Sequence, residues 1–226
     1  MKVLVACEES QEVCKAFRAK GHEAFSCDIQ LCSGGHPEWH ILGDVLTILN
    51  GNSTFITEDF KIHEIKGTWD LIIAHPPCTS LTCTGNHYFS LSMYGGKALK
   101  RIKDREDAIS FFMNFVYCDC PRVVIENPIG IMSTRFRKPD QIINPWQFAL
   151  TEDEETEKRT CLWLRGVKPL IPLWDTKPDI KYVYFPSGKR QTLWYYNTRC
   201  LHHSERAKAA SKTFPGIAKA MAEQWG

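Results

Sequence analysis

Short apolar runs alternate with longer amphipathic stretches along most of the chain. "KVLVACE" opens with an unbroken apolar run, the pattern of a strand covered on both faces. "QEVCKAFRAK" then sets Val13 and Phe17 one helical turn apart; Ser10 is the expected N-cap and Gly21 the stop. "HEAFSCDI" predicts a second strand ending in Asp28, and "SGGHPEWH" a turn-rich loop. "ILGDVL" predicts a short third strand with Asp44 at its end, and "TWDLIIAHPP" a fourth, again apolar throughout. A helix is expected over residues 96–117, with charges on one side and Ile109, Phe112, Met113 and Val116 on another. "RVVIENP" predicts a fifth strand, and "TCLWL" and "YVYFP" are later strand candidates. The C-terminal stretch from Ser204 reads mostly as helix, interrupted near Pro215.

Strands alternating with helices predict a doubly wound α/β sheet, whose ligands bind at the carboxyl ends of the strands. Those ends read "ACEES", "CDIQ", "GDV", "HPPC" and "ENP". Singly each has an ordinary explanation: a terminal Asp caps helices, and Pro-Pro-Cys is commonly a turn beside a buried thiol. Cys78 therefore has two readings, a packed small residue or a nucleophile at the mouth of the sheet. At 226 residues the chain has room for one domain with a sizeable core. The apolar runs are too short to span a bilayer, and the N-terminus lacks the pattern of a signal peptide, so no membrane and a cytoplasmic location are expected. Ten cysteines are too few for a disulfide scaffold of this length, which favours reduced thiols. A net charge of +2 leaves a nucleic-acid partner open, since a local basic patch would suffice.

In their order along the chain, "VACEES", "CDIQ", "GDV", "PPC" and "ENP" resemble the DNA (cytosine-5) methyltransferase family. "EKRTCLWLRG" is similar to that family's Gln-x-Arg-x-Arg strand, with Arg159 matching the first arginine and Cys161 standing at the second. "KTFPGIAKAMAEQW" looks like its last cofactor-contacting motif. The resemblance implies a Rossmann-like S-adenosylmethionine-dependent methyltransferase fold with a doubly wound mixed sheet. It implies a catalytic core over residues 1–164, a small recognition segment over 165–203, and a closing helix over 204–226. It implies S-adenosylmethionine as cofactor, contacted by Cys7, Glu8, Glu9, Asp28, Ile29, Asp44, Val45 and Pro76, with Asp28 at the ribose and Asp44 near the adenine. It assigns Cys78 as the nucleophile, Glu126 as the acid that grips the base, and Arg159 as a further site residue. The partner implied is DNA, with RNA or a free pyrimidine nucleotide as alternatives, and a catalytically silent binding protein as the rival from another class.

The chemistry gives these residue types a reason to stand together. Carbon 5 of cytosine is a weak nucleophile until a thiolate adds to carbon 6. The thiol, with an ordinary pKa near ~8.5, then needs a polarising site. A carboxyl group at ring nitrogen 3 would work best with a raised pKa. The first loop departs from the family's glycine-rich form, so backbone approach to a cofactor has to be achieved without glycine.

Other clusters read more plainly. Cys32, His36 and His40 share a spacing of four, but Gly34, Gly35 and Pro37 break any helix that would align them, and no metal is expected. Cys118 and Cys120 are read as packing residues, and Cys200, His202 and His203 as a surface loop. "KYVYFPSGKRQTLWYY" predicts a hairpin with "PSGK" as its turn, and its cations and aromatics would suit nucleic-acid contact. Lys97, Lys100, Arg101, Lys103 and Arg105 form a second basic stretch after Cys78.

Overall fold

The computed structural model describes residues 1–226, the side chains of Thr84, His203 and Ser204 excepted. The reading made for the side chain of His203 therefore lies outside the described residues. Along the chain come β1 (Lys2–Ala6), α1 (Glu12–Ala19), β2 (Glu23–Asp28), β3 (His40–Leu42), β4 (Ser53–Ile56), β5 (Ile62–Ile65) and β6 (Leu71–Ala74). They are followed by α2 (Leu91–Tyr94), α3 (Gly96–Tyr117), β7 (Val123–Pro128), α4 (Met132–Arg135), β8 (Gln141–Ile143) and β9 (Thr160–Arg165). The chain closes with β10 (Tyr182–Tyr184), β11 (Arg190–Thr192), α5 (Leu193–Cys200), α6 (His203–Ser211) and α7 (Pro215–Trp225).

Seven strands form one sheet in the order β3-β2-β1-β6-β7-β9-β8. The first five are parallel, β9 runs antiparallel to both its neighbours, and the sheet is therefore mixed. The alternation of strand side chains divides the core between the two faces. Leu4, Ala6, Phe25, Ile72, Ala74, Val123, Ile125 and Trp163 pack on one face against Phe112 and Phe115 of α3. Val3, Val5, Leu71, Ile73, Val124 and Leu162 pack on the other against α1 and α7. This explains the unbroken apolar runs: neither face of the central strands meets water. The segment after β9 is attached to this scaffold, with Leu170 buried in the α1 and α7 face. No helix is long and apolar enough to cross a membrane.

Three expectations are corrected. Ser10 does not cap α1: Gln11 holds the N-cap position in a left-handed conformation (φ 59°) without a side-chain cap. Glu8 serves instead, its two carboxylate oxygens accepting from Val13 N at 2.7 Å and Cys14 N at 3.1 Å. The third strand stops at Leu42, because Asp44 turns back to cap a short 3₁₀ turn through Leu46 N at 3.0 Å. The predicted "PSGK" hairpin forms between β10 and β11, closed by Gly188 at φ 76°, but "LWYY" is helical rather than a continuing strand. Thr192 caps that helix by accepting from Tyr195 N.

Candidate active site

Because β1, β2, β3, β6 and β7 are parallel, the segments after Ala6, Asp28, Leu42 and Ala74 and the end of β7 all lie along one edge of the sheet. β9 runs the other way, so Thr160 at its start and Lys158 and Arg159 just before it reach the same edge beside Pro128. The chain order reverses between β1 and β6, the switch point at which open α/β sheets form a ligand crevice. Cys78, His75, Glu126 and Lys158 collect on one side of that point, and Cys7, Asp28 and Asp44 on the other.

The loop carrying Cys78 is held by β7 and the segment behind it. Asn127, buried, donates from Nδ2 to the Pro76 carbonyl at 2.7 Å. Ile131 N donates to the Leu81 carbonyl at 2.8 Å, and Gly130 lies so close to that carbonyl that a Cβ there would stand 2.2 Å from it. Leu81 N and Thr82 N both turn back onto the Cys78 carbonyl. Cys78 itself is partly buried. Burial raises its pKa, the charge of Glu126 raises it further, and the charge of Lys158 pulls the other way.

Glu126 sits within β7 with 21% of its side chain exposed, and Oε2 lies 3.1 Å from Nδ1 of His75. Burial would raise its pKa, but the His75 hydrogen bond and charge, with Lys158 beyond, hold the carboxyl below its ordinary value. Burial alone would give the raised pKa that best suits a carboxyl at ring nitrogen 3; His75 and Lys158 turn the shift the other way. Lys158 is enclosed by the C-terminal segments. Its Nζ donates to the Ala210 carbonyl at 2.8 Å and lies 5.8 and 5.6 Å from the ring centroids of Trp194 and Phe214. Burial lowers its pKa, while the charges of Glu126 and Cys78 oppose that. Arg159 is exposed, and its charge bears on the Cys161 thiol rather than on Cys78 or Glu126. Lys158 and His75 were not singled out from the sequence. The antiparallel strand that delivers Lys158 has no sequence signature, whereas His75, directly before Pro-Pro-Cys, lay in plain view.

On the other side, the loop after β1 dispenses with glycine yet adopts the conformation glycine favours: Cys7 and Gln11 both have φ of 59°. The glycine comes from the facing loop, where a Cβ on Gly34 would stand 2.5 Å from both the Ser10 carbonyl and the Gln11 Cβ. Cys7 feels burial first and then the negative charge of Asp28 and Asp44, all of which push its thiol up. Asp28 accepts from Gln30 N at 2.9 Å, Asp44 is exposed, Ile29 is exposed, and Val45 and Pro76 are buried. Glu8 and Glu9 are both buried and both engaged, Glu8 on α1 and Glu9 on the Ser33 hydroxyl. With its carboxylate over the first N–H groups of α1, Glu8 fills the place where a dinucleotide's pyrophosphate would dock. The acidic lining suits a ligand carrying hydroxyls and positive charge instead.

The remaining clusters are committed elsewhere. His36 stacks on Trp39 and bonds Glu38, and His40 lies between Ser26 Oγ and the Gln30 carbonyl. Among the described residues no group of three or more His, Cys, Asp or Glu could hold a metal ion, and all ten cysteines are free. A cleft of about 290 Å³ lies between residues 152–156 and α5, lined by Glu152, Asp153, Lys181 and Trp194 but by none of the strand-end residues. Compared with known proteins, the chain matches no family model and no curated protein.

Proposed function

We propose that the protein transfers a methyl group from S-adenosylmethionine to carbon 5 of cytosine in DNA, with Cys78 as nucleophile. The observation that carries the reading is the meeting of Cys78 with one carboxylate, Glu126, and one enclosed cation, Lys158, at the switch point of a mixed α/β sheet. The mixed sheet is the kind the resemblance implies. S-adenosylmethionine, when bound, supplies an electrophilic methyl group on a positively charged sulfur. Asp28 at the end of β2 would accept the ribose hydroxyls and Asp44 would serve near the adenine; the charges of both bear on the Cys7 thiol of the same crevice. The acidic lining and the filled helix N-terminus fit such a ligand better than a phosphate-rich one.

The charge arrangement gives a reason for the thiol to stay unreactive until a base arrives. Burial raises the Cys78 pKa and the Glu126 charge raises it further. Ring nitrogen 3 of cytosine and the Glu126 carboxylate are both acceptors, so the base binds there only with a proton held between them, and that proton offsets the charge. The pull of Lys158 then favours the thiolate, which adds to carbon 6 and makes carbon 5 nucleophilic. Asn127 holds the Pro76 carbonyl, and through it the path of the Cys78 loop, while this happens.

The recognition segment is short, one hairpin and one eight-residue helix. The same chemistry on a free nucleotide is therefore the competing reading. Oligonucleotides carrying 5-fluorocytosine test both, because fluorine blocks release after methyl transfer. A covalent adduct at Cys78 is expected with duplex DNA in the presence of S-adenosylmethionine, and none with Cys78→Ala. Capture of the free nucleotide alone overturns the DNA assignment, and capture of no substrate by a folded protein overturns catalysis.

A further inference from the structure

We propose that His75 is the positioning residue of this site, fixing Oε2 of Glu126 through its Nδ1–H and so aiming the carboxylate at the incoming base. Its place in the fold is determined from both sides. The backbone N–H of His75 donates to the Ala6 carbonyl at 2.9 Å, anchoring it beside β1. Pro76 follows directly and restricts His75 to extended backbone, which fixes where the ring starts. The ring then meets Glu126 at 3.1 Å, with 10% of the His75 side chain exposed. Facing an ionised carboxylate, which only accepts, Nδ1 must carry the hydrogen.

The second ring nitrogen separates a positioning role from a packing one. The large majority of buried side-chain polar atoms have a hydrogen-bond partner, and an exception calls for a reason. Nε2 of His75 is buried and has no hydrogen-bond partner among the described residues. The ring's one side-chain hydrogen bond is thus made to Glu126. The charged groups that face it are Glu126 from β7, Glu8 from the loop after β1, and Lys158 from the segment before β9. Burial and Lys158 disfavour the imidazolium, and the two carboxylates outweigh them, raising its pKa above the ordinary histidine value. His75 thus bonds the Glu126 carboxylate of β7 while also lying within the field of Glu8 from the loop after β1.

The inference rests on the cytosine reading only for the second of two measurements. The first is nuclear magnetic resonance of isotope-labelled histidine in the full chain without ligand. His75 is expected to be protonated at Nδ1 and to titrate above the usual histidine range, dropping by about one pH unit or more in Glu126→Gln. An unchanged His75 titration in Glu126→Gln overturns the proposal. The second is capture of 5-fluorocytosine across pH. His75→Asn, which keeps a donor near Nδ1 but cannot titrate, should retain capture and lose the pH dependence that His75 confers. His75→Ala should lose capture by about a hundredfold. Equal losses in the two variants overturn a positioning role. If the wild type captures no substrate at all, the cytosine reading fails and the resonance measurement alone decides the role of His75; it decides equally where His75→Ala fails to fold.

Discussion

Cys78 is pulled in opposite directions by Glu126 and Lys158, so single substitutions should move its reactivity with predictable sign. Lys158→Met keeps most of the stem's packing and removes the charge. The thiol pKa then rises, and the pH profile of alkylation by iodoacetamide shifts upward. Glu126→Gln removes the opposing charge and shifts the profile downward. Arg159→Met should leave it unchanged, since Arg159 is exposed and its charge acts on Cys161. A shift in Arg159→Met equal to that in Lys158→Met would return the cation's role to Arg159. Cys78 and Glu126 were legible as strand-end residues because strand-end motifs are local. Their ion partners were not, because proximity of Lys158 to Cys78 is created by a strand direction and by packing of α6, Trp194 and Phe214 over it.

Among the elements, α3 was legible to its ends because four turns or more of periodic sequence average out local noise. The β4–β5 hairpin and β8 were not, since strands of four and three residues carry too few positions to show a period. "LWYY" misled through the strand preference of aromatics, although the Thr192 cap was in the sequence. The cap of α1 was missed for a related reason: Glu8 reaches Val13 and Cys14 over a left-handed Gln11, outside the usual capping pattern. Glu8→Ala should therefore cost about 0.5–2 kcal/mol in urea unfolding, the range of a lost N-cap. Gly130→Ala offers a sharper separation. Its Cβ would press on the Leu81 carbonyl, so the Cys78 loop must shift relative to β7. Destabilisation of about 1–3 kcal/mol is expected, together with a loss of 5-fluorocytosine capture larger than the folded fraction explains. A loss that merely tracks the folded fraction would remove this contact from the site.

For the whole molecule, sheet class followed from alternation, but the insertion of β9 between β7 and β8 is a non-local pairing invisible to any short window. The same sheet order has a consequence for stability that can be measured without substrate. It places Glu8, His75 and Glu126 on three adjacent strands or the turns after them, inside the protein, so their ionisation is linked to folding. The His75 pKa is raised by folding, so its contribution is fully present below its unfolded value, near ~6.5, and is lost as pH rises through the folded value. The Glu126 pKa is lowered, so its contribution is present above its unfolded value, near ~4.3, and is lost as pH falls through the folded value. Glu8 has the opposite sign to Glu126. Burial outweighs the His75 charge and the α1 hydrogen bonds and raises its pKa, so ionising it above its ordinary range weakens the fold. The His75–Glu126 pair is fully charged only between the lowered carboxylate value and the raised histidine value. Urea midpoints of the wild type should fall as pH rises from the unfolded histidine value, near ~6.5, through the raised folded value. In His75→Asn that decline should be reduced, because the titrating group is gone while the donor to Glu126 remains. In Glu126→Gln it should also be reduced, because the charge that held the proton is removed. A wild-type decline reproduced in full by both variants would assign it to other groups and leave the strand-end ion pair without a part in stability.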